Sequence, residues 1–480
     1  MRTIAVSNVF AVAVLALAPV VAHAEDGRAG IEAAARALGN GVRSIEYTAS
    51  GVNFAVGQSA APGQPWPRFT VKSLTRRVNY ETASVREDWV RARAEEPPRG
   101  GGLPVVGELK QTFMVSGDHA WNVAEDAAIP APITLAERQL QLWATPHGVV
   151  RAALAHNATK QGRVIAFTLP SRIPVKAVLD PQNLVERVEA VLPHPVLGDL
   201  PVEITYADYR DYGGVKFPAR IRQTAGGFPF LDVTVGDVRA NGPVDITVPD
   251  DVRQTTSPYA RVATQMVADG VWYVTGGTHH SVAIEMKDHL ILVESPLNDE
   301  RALAVLAETR NLAPGKPVRY VVNSHHHFDH AGGLRAAAGE GATIITHEIN
   351  RAYLERALAT PASLRPDHLA RSGRKGVVEG VRDRRVLSDG TRTVELHHIA
   401  GNAHDDGLLM AYLPRERLLV EADAFTPRPP NAPPPASPLN FTVNLVENLK
   451  RLGLGVDRLL PLHGRIVPVA DLQRAVGHDH

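Results

Sequence analysis

The pattern of hydrophobic and polar positions changes near residue 262 of the 480-residue chain. Before that position, short segments such as SIEYTASGVNFAVG (44–57) and FLDVTVGDVRAN (230–241) alternate apolar and polar residues, as half-buried strands do. After it, apolar runs such as VRYVVNS (318–324) alternate with helical patterns such as DERALAVLAETRNL (299–312). The pattern therefore predicts a β-rich N-terminal domain followed by a layered α/β domain.

The segment ANGPVDITVPDDVRQTTSPYARV (240–262) is rich in Pro, Asp, Ser and Thr, which is typical of a linker between domains. We place the N-terminal domain at 25–250 and the second domain at 251–480. In the N-terminal domain, DYGGVKFPARIRQ (211–223) predicts a Gly-Gly turn that leads into a strand. Its YGGVKFP stretch resembles periplasmic lipoprotein-carrier-like domains, which implies a curved sheet that binds or supports apolar ligands. Because no motif with chemical promise occurs there, we expect a scaffold or docking domain without catalysis.

The N-terminus is typical of an export signal. Arg2 precedes a mostly apolar run to Val21, and Ala22-His23-Ala24 forms an A-x-A type cleavage site before Glu25. We predict that residues 1–24 are a cleaved signal peptide and that the protein is periplasmic or secreted. No other stretch is long and apolar enough to span a bilayer, so we expect no stable membrane insertion.

Composition narrows the possible chemistry. Lys+Arg and Asp+Glu both number 51, and the chain lacks a basic block, so a nucleic-acid partner is not expected. The sequence has no cysteine, which removes disulfides, thiolate ligands and cysteine nucleophiles. A small-molecule substrate is the expected partner, and the sequence carries no signal for an oligomeric state.

Histidine is concentrated in the second domain, where NSHHHFDHAGG (323–333) holds four histidines and an aspartate in six positions. The segment follows an apolar strand and precedes the helical pattern LRAAAGE, so it predicts a loop between a strand and a helix. The pattern H-x-H-x-D-H can direct two imidazoles toward one metal ion, and a carboxylate and an imidazole toward a second. Imidazole and carboxylate ligands suit Zn²⁺.

Three further polar residues lie beside predicted strands downstream. His404 precedes a strand in GNAHDDGLLMAYL (401–413), Asp423 ends the strand in ERLLVEADAF (416–425), and His463 ends the strand in RLLPLHGRIV (458–467). All three are predicted to lie where a strand leaves the core, as ligands that complete two metal sites would.

This ordered set resembles the metallo-β-lactamase superfamily over roughly residues 262–480. The resemblance implies an αββα sandwich with a dinuclear metal site along one edge of its two sheets. It also implies that His325, His327 and His404 hold the first ion, that Asp329, His330 and His463 hold the second, and that Asp423 bridges both. His326 is outside the motif and is expected to pack or to support the ligands.

The resemblance implies metal-dependent hydrolysis with two Zn²⁺ ions. Two ions would lower the pKa of a bridging water toward 7 and supply hydroxide, while Asp329 would orient the hydroxide and take up its proton. In the family, a bridging carboxylate such as Asp423 belongs to thioesterases, lactonases and phosphodiesterases, whereas zinc β-lactamases have a cysteine or a non-ligand there. We therefore expect an ester, thioester or lactone carbonyl as the substrate.

Three alternatives stay open at this point: a β-lactam hydrolase of the same fold, a mononuclear iron dioxygenase that uses only His325, His327 and His404, and a non-catalytic metal-binding module. The intact second ligand set argues against the iron enzyme.

Other polar and aromatic features carry weaker expectations. His279, His280, His397 and His398 match no motif and are expected at the surface or behind the ligands. The segment TPRPPNAPPPASPLNF (426–441) has seven prolines, and with Phe425 and Phe441 it is expected to form one wall of an apolar pocket. The sequence leaves the role of Glu294 open.

Overall fold

A computed structural model describes residues 24–255, 257–430, 432 and 437–477. The predicted leader lies outside the described residues apart from Ala24, and so do His478, His480 and the middle of the proline-rich segment. Among the described residues, no helix has both the length and the hydropathy needed to cross a bilayer.

The N-terminal domain contains one large antiparallel sheet. Within the described residues its strands are β1 Ser44–Phe54, β2 Arg68–Asn79, β3 Ser84–Arg93, β4 Glu108–Ser116, β5 His119–Ala124, β6 Ala127–Pro130, β7 Thr159–Gln161, β8 Val164–Thr168, β9 Pro174–Leu179, β10 Val185–His194, β11 Gly198–Asp211, β12 Lys216–Ala225 and β13 Phe228–Ala240. Their order in the sheet is β6-β5-β4-β3-β2-β1-β13-β12-β11-β10-β9-β8-β7. The β-rich expectation is confirmed, and β11 and β12 flank the predicted Gly-Gly turn.

Three helices pack against this sheet: α1 Ala24–Leu38, α2 Leu135–Trp143 and α3 Pro146–Ala155. Apolar side chains of all three, including Ile31, Leu140 and Val149, join the strand residues in one core. The alternating pattern did not predict these helices, although an alanine-rich run such as IEAAARAL in α1 has high helix propensity. The likeness to lipoprotein-carrier domains stays a prediction.

The C-terminal domain contains two sheets and several helices. Its strands are β14 Ala263–Ala268, β15 Val271–Thr275, β16 Ser281–Glu285, β17 Leu290–Val293, β18 Val318–Val322, β19 Thr343–His347, β20 Val377–Val381, β21 Arg384–Ser388, β22 Thr393–His398, β23 Leu409–Leu413, β24 Leu418–Glu421, β25 Arg458–Pro461 and β26 Val467–Pro468. After α4 Asp250–Gln254 in the linker, its helices are α5 Asp299–Leu312, α6 Phe328–Ala331, α7 Leu334–Gly339, α8 Glu348–Ala359, α9 His368–Ser372, α10 Asn440–Leu452 and α11 Val469–Ala475.

The two sheets, β14 to β20 and β21 to β26, pack face to face, and each carries helices on its outer face. Residues such as Ile291 and Val322 from one sheet and Leu396 and Val420 from the other share the central core. Leu306 of helix α5 lies in one outer core, and residues of α10 lie in the other. The predicted αββα sandwich after a β-rich region is confirmed.

The predicted site residues lie at strand ends along one edge of this sandwich. Strands β17 and β18 run parallel, as do β24 and β25, so their carboxyl ends point the same way. The H-x-H-x-D-H loop follows β18, Asp423 follows β24 and His463 follows β25. An isolated bridge between His279 and His463 joins the two sheets at this edge.

Candidate metal centre

The first group of converging side chains consists of His325, His327 and His404. His325 Nε2 lies 2.9 Å from His327 Nδ1 and 3.2 Å from His404 Nε2. The side chains of His325 and His327 are fully buried. Burial lowers the pKa of His325 to about 4 and that of His327 well below its ordinary value. The imidazoles of His325 and His327 are therefore neutral, and a neutral imidazole offers one ring nitrogen with a lone pair to a metal ion.

The second group consists of Asp329, His330 and His463. His330 Nε2 lies 3.1 Å from His463 Nε2 and 3.6 Å from Asp329 Oδ2. Burial on its own would lower the pKa of His330, but the carboxylates of Asp423 and Asp329 raise it well above its ordinary value. Burial likewise opposes protonation of His463, yet Asp423 raises the pKa of that imidazole. This group attracts positive charge.

Asp423 lies between the two groups. Its Oδ2 is 2.9 Å from His404 Nε2, and its Oδ1 is 2.8 Å from His463 Nε2. Asp423 has a φ of 60°, a left-handed conformation that is uncommon outside glycine and that often marks functional positions. Burial would raise the pKa of Asp423, but His463, His330 and His404 hold it well below the ordinary value. Oδ1 thus faces the second group, and Oδ2 lies between both groups, because it is also 3.2 Å from His330 Nε2.

Residues behind the second group support its orientation. The fully buried Glu294 places Oε2 3.0 Å from His330 Nδ1, which leaves His330 Nε2 directed at the other ligands. Glu294 also has a left-handed φ, of 77°. His279 Nε2 lies 3.1 Å from Asp329 Oδ2, and His280 Nε2 lies 2.9 Å from the carbonyl of Gly464.

The donor set fits zinc. Ligands about 2.0–2.1 Å from a tetrahedral zinc ion lie roughly 3.3 Å from one another, and the nitrogen spacings in both groups are close to that value. The ligand atoms of His325, His327, His404 and Asp423 all lie within 4.8 Å of one another, as do those of His279, Asp329, His330 and His463. Two facing Nε2 atoms, as in His325 and His404, need a shared cation or proton to attract each other.

The comparisons with known proteins agree with this geometry. The family model described as "Metallo-beta-lactamase superfamily" matches residues 274–463, a range that contains all seven predicted ligands. The C-terminal half has the metallo-β-lactamase fold. Members of this superfamily are metal-dependent hydrolases, so the domain is of the metal-dependent hydrolase type.

Known relatives match only part of the chain. The 2,4-dinitroanisole O-demethylase subunit alpha of Nocardioides sp. (strain JS1661) is 27% identical over 208 residues, which are 42% of this chain and 57% of that protein. The match therefore spans little more than half the length of the curated relative.

Similar solved structures are more distant in sequence. A metallo-β-lactamase from Pontibacter korlensis is 17% identical, with a TM-score of 0.35, over 45% of this chain and 98% of its own. The mono-zinc form of the metallo-β-lactamase FIM-1 from Pseudomonas aeruginosa is 15% identical, with a TM-score of 0.34, over 45% of this chain and 94% of its own.

Histidines outside the superfamily motif have definite partners. His326 Nδ1 lies 2.6 Å from Asp405 Oδ2, behind the ligands, in agreement with the expected supporting role. His397 Nε2 lies 2.8 Å from Glu395, and His398 Nε2 lies 2.9 Å from the carbonyl of Asp406. None of the four histidines His279, His280, His397 and His398 is exposed, so the expectation that they lie at the surface is not met.

The expectation that the proline-rich segment forms a pocket wall with Phe425 and Phe441 stays a prediction, because the middle of that segment lies outside the described residues. Both aromatic residues are buried, Phe425 in the core shared with α10 and Phe441 with its ring centroid 5.3 Å from that of His404. Phe425 follows strand β24, and Phe441 lies in the first turn of α10. The prolines between them lie partly outside the described residues, and Pro427 packs beside Gly464 of the metallo-β-lactamase domain.

Two residues near the centre come from the N-terminal domain, which was expected to be only a scaffold. Gln58 donates a hydrogen bond to Asp329, and Ser59 contacts both His326 and His327. Their loop, GQSAAPGQPWP (57–67), is rich in Gly and Pro, and no spacing rule links Gln58 to Asp329, 271 residues away.

Proposed function

We propose that the protein is a dinuclear zinc-dependent hydrolase that cleaves an ester, thioester or lactone bond in a small molecule. The observation that carries this proposal is the position of Asp423, with one oxygen 2.9 Å from His404 of the first group and the other 2.8 Å from His463 of the second. A carboxylate so placed is suited to bridge two ions.

Bound zinc ions would supply hydroxide near neutral pH and polarise the oxygen of the scissile carbonyl. His325, His327 and His404 would hold the first ion, and Asp329, His330 and His463 would hold the second. Asp329 would also orient the nucleophile toward the carbonyl carbon. Glu294 would keep Nε2 of His330 directed at the ion by accepting a hydrogen bond from Nδ1.

Exposure supports entry of substrate beside the second group. The Asp329 and His463 side chains are 31% and 19% exposed, whereas those of His325 and His327 are fully buried. A substrate carbonyl would therefore meet the second group first. The balanced overall charge favours a neutral or weakly charged substrate over a polyanion.

The predicted leader of residues 1–24 supports export of the enzyme to the periplasm or beyond. Edman sequencing of the protein recovered from an exporting host tests this part. An N-terminus at Glu25 in the exported fraction is expected, and retention of the intact leader on protein in the cytoplasm would contradict it.

A hydrolysis screen of the zinc-loaded protein tests the proposed reaction. Esters, thioesters, lactones, β-lactams and phosphodiesters are compared with a His404→Ala control that lacks one ligand of the first group. We expect the wild type to hydrolyse one class of carbonyl substrate and the His404→Ala control to lose this activity. Turnover only of β-lactams would overturn the substrate class, and turnover only after iron loading with uptake of oxygen would overturn the hydrolase.

O-Demethylation of an electron-poor aryl ether is a second candidate function, favoured by the similarity to the 2,4-dinitroanisole O-demethylase subunit alpha. Attack of hydroxide on the ring carbon and departure of methoxide balance without an oxidant. Release of methanol from 2,4-dinitroanisole by the wild type and not by His404→Ala would support it. Release of formaldehyde would contradict demethylation by hydrolysis.

A further inference from the structure

One loop of the N-terminal domain reaches the metal centre. This loop, residues 55–67, lies between β1 and β2 and contacts the H-x-H-x-D-H segment. Gln58 Nε2 donates to Asp329 Oδ1 at 2.8 Å. A carboxylate oxygen can only accept here, so the amide nitrogen must face it. With Oδ1 engaged by the amide, Oδ2 of Asp329 is the oxygen directed toward His330 and a second ion.

The neighbouring residue, Ser59, contacts the first group. The carbonyl oxygen of Ser59 lies 2.8 Å from His327 Nε2. Because a carbonyl only accepts, neutral His327 must carry its proton on Nε2, which leaves a lone pair on Nδ1. Nδ1 is the atom that lies 2.9 Å from His325 Nε2, inside the first group. The backbone of the N-terminal domain therefore selects the tautomer of His327 that can bind a metal.

A third contact fastens the loop in place. Ser59 Oγ lies 3.1 Å from His326 Nε2, and His326 Nδ1 lies 2.6 Å from the buried Asp405. This connectivity matches that of a nucleophilic serine triad, but the hydroxyl is buried and donates to the carbonyl of Ala61 at 2.9 Å. The Asp405-His326-Ser59 chain is thus a connection between domains, not a second catalytic site.

Close packing accompanies these hydrogen bonds. Gly57 has a φ of 70°, and a Cβ there would overlap the ring of Phe328 in the motif. On a second loop, a Cβ at Gly101 would lie 3.0 Å from His327 Cε1. The amide of Gly100 donates to the carbonyl of Ala403, next to His404, at 2.8 Å. Both histidine-bearing loops of the first group are therefore covered by the N-terminal domain.

We propose that Gln58 and Ser59 are positioning residues of the metal centre, so that the N-terminal domain completes a site whose ligands all lie in the C-terminal domain. Gln58 holds Asp329 toward the second ion, and the Ser59 carbonyl holds His327 toward the first. This inference rests on the proposed dinuclear function. It gives the N-terminal domain a direct role in metal occupancy and, through Asp329, in the orientation of the nucleophile.

Cobalt titration of the full-length, metal-free protein tests the role of Gln58. The variants are Gln58→Ala, Gln58→Glu, which keeps the size but places a carboxylate against Asp329, and Gln64→Ala, a control at an exposed position of the same loop. The affinity for the second Co²⁺ ion should fall about 10- to 100-fold in both Gln58 variants. In both Gln58 variants the visible absorption of the second ion should change, while that of the first ion should stay as in the wild type. The control Gln64→Ala should match the wild type at both ions.

Two results would overturn the inference, and they are distinguishable. If the wild type binds two Co²⁺ ions and Gln58→Ala binds both with unchanged affinity and spectrum, the positioning role is wrong while the dinuclear function stands. If the wild type itself binds one ion, the dinuclear function fails and the role of Gln58 at a second ion fails with it. A circular-dichroism melt on each variant confirms that the protein is folded during the titration.

Discussion

The two ligand groups of the metal centre differ in burial and in charge. The first group has three histidines, and burial keeps the imidazoles of His325 and His327 neutral. The second group contains a carboxylate and is partly open to solvent, and neighbouring carboxylates raise the pKa of His330 and His463. Under the proposed function, we expect the first group to retain its ion and the second group to exchange protons, metal and substrate.

Removal of a ligand from the first group should have the largest effect. In His327→Ala the remaining imidazoles cannot hold the first ion. The rate of hydrolysis should therefore fall by more than roughly 100-fold, the loss expected when a residue that only supports a ligand is removed. Metal analysis of the same sample should show loss of the first ion. Retention of wild-type turnover and metal content would break the assignment of His327 as a ligand.

The pH dependence of metal binding should separate the two groups. A proton must leave each ligand imidazole when the metal binds, so affinity falls once the pH drops below the pKa of that imidazole in the metal-free protein. For His330 and His463 the pKa is raised, so the second ion should begin to be lost at a pH above the ordinary histidine pKa of about 6.5 and be lost further below it. For His325 the pKa is about 4, so the first ion should remain bound over that range of pH.

Zinc titrations at several pH values measure this difference. Two binding steps that weaken in parallel with acidification would contradict the proposed contrast between the groups.

Loss of His279 should have an intermediate effect that is confined to the second group. Its Nε2 lies 3.1 Å from Asp329 Oδ2, and its ring packs edge-on against His463 at 4.3 Å between centroids. His279→Ala should weaken the second ion by about 10- to 100-fold and leave the first unchanged. His119→Ala, in β5 of the N-terminal domain, is the matched control. Equal weakening of both ions would show that the two groups do not act separately at this position.

The surface ion pair between the domains should matter least. Arg99 donates to Asp406 at 2.8 Å, but the two side chains are 53% and 31% exposed. Arg99→Ala should lower the free energy of unfolding by less than about 1 kcal/mol. Denaturant unfolding measures this change, and metal content should be unaffected. A loss of the first ion in Arg99→Ala would mean that the first group depends on this pair more than on the Ser59 contact.

The sequence predicted those parts of the site that lie next to strong local patterns. The H-x-H-x-D-H loop, Asp423 and His463 each follow an apolar strand, and the helix predicted at 299–312 has those bounds in the structure. The seven predicted ligands meet because parallel strands end at one edge of each sheet. The roles assigned to these seven residues stay predictions until metal binding is measured.

Long-range contacts were not predictable from the sequence. Gln58 meets Asp329 across 271 positions, and nothing in a Gly- and Pro-rich turn identifies a glutamine that supports a ligand. His279 lacked a motif because its contact depends on how β16 approaches β25. The pocket predicted from the proline-rich segment with Phe425 and Phe441 stays a prediction, because the middle of that segment lies outside the described residues.

The number of zinc ions bound per chain tests the account most directly. The full-length protein is stripped with a chelator, titrated with Zn²⁺ by calorimetry at pH 7.5 and analysed for metal after dialysis. Two ions per chain are predicted for the wild type, with only the weaker step lost in Asp423→Asn or at lower pH. A single ion per chain, unaffected by Asp423→Asn, would contradict the dinuclear centre on which the proposed function depends.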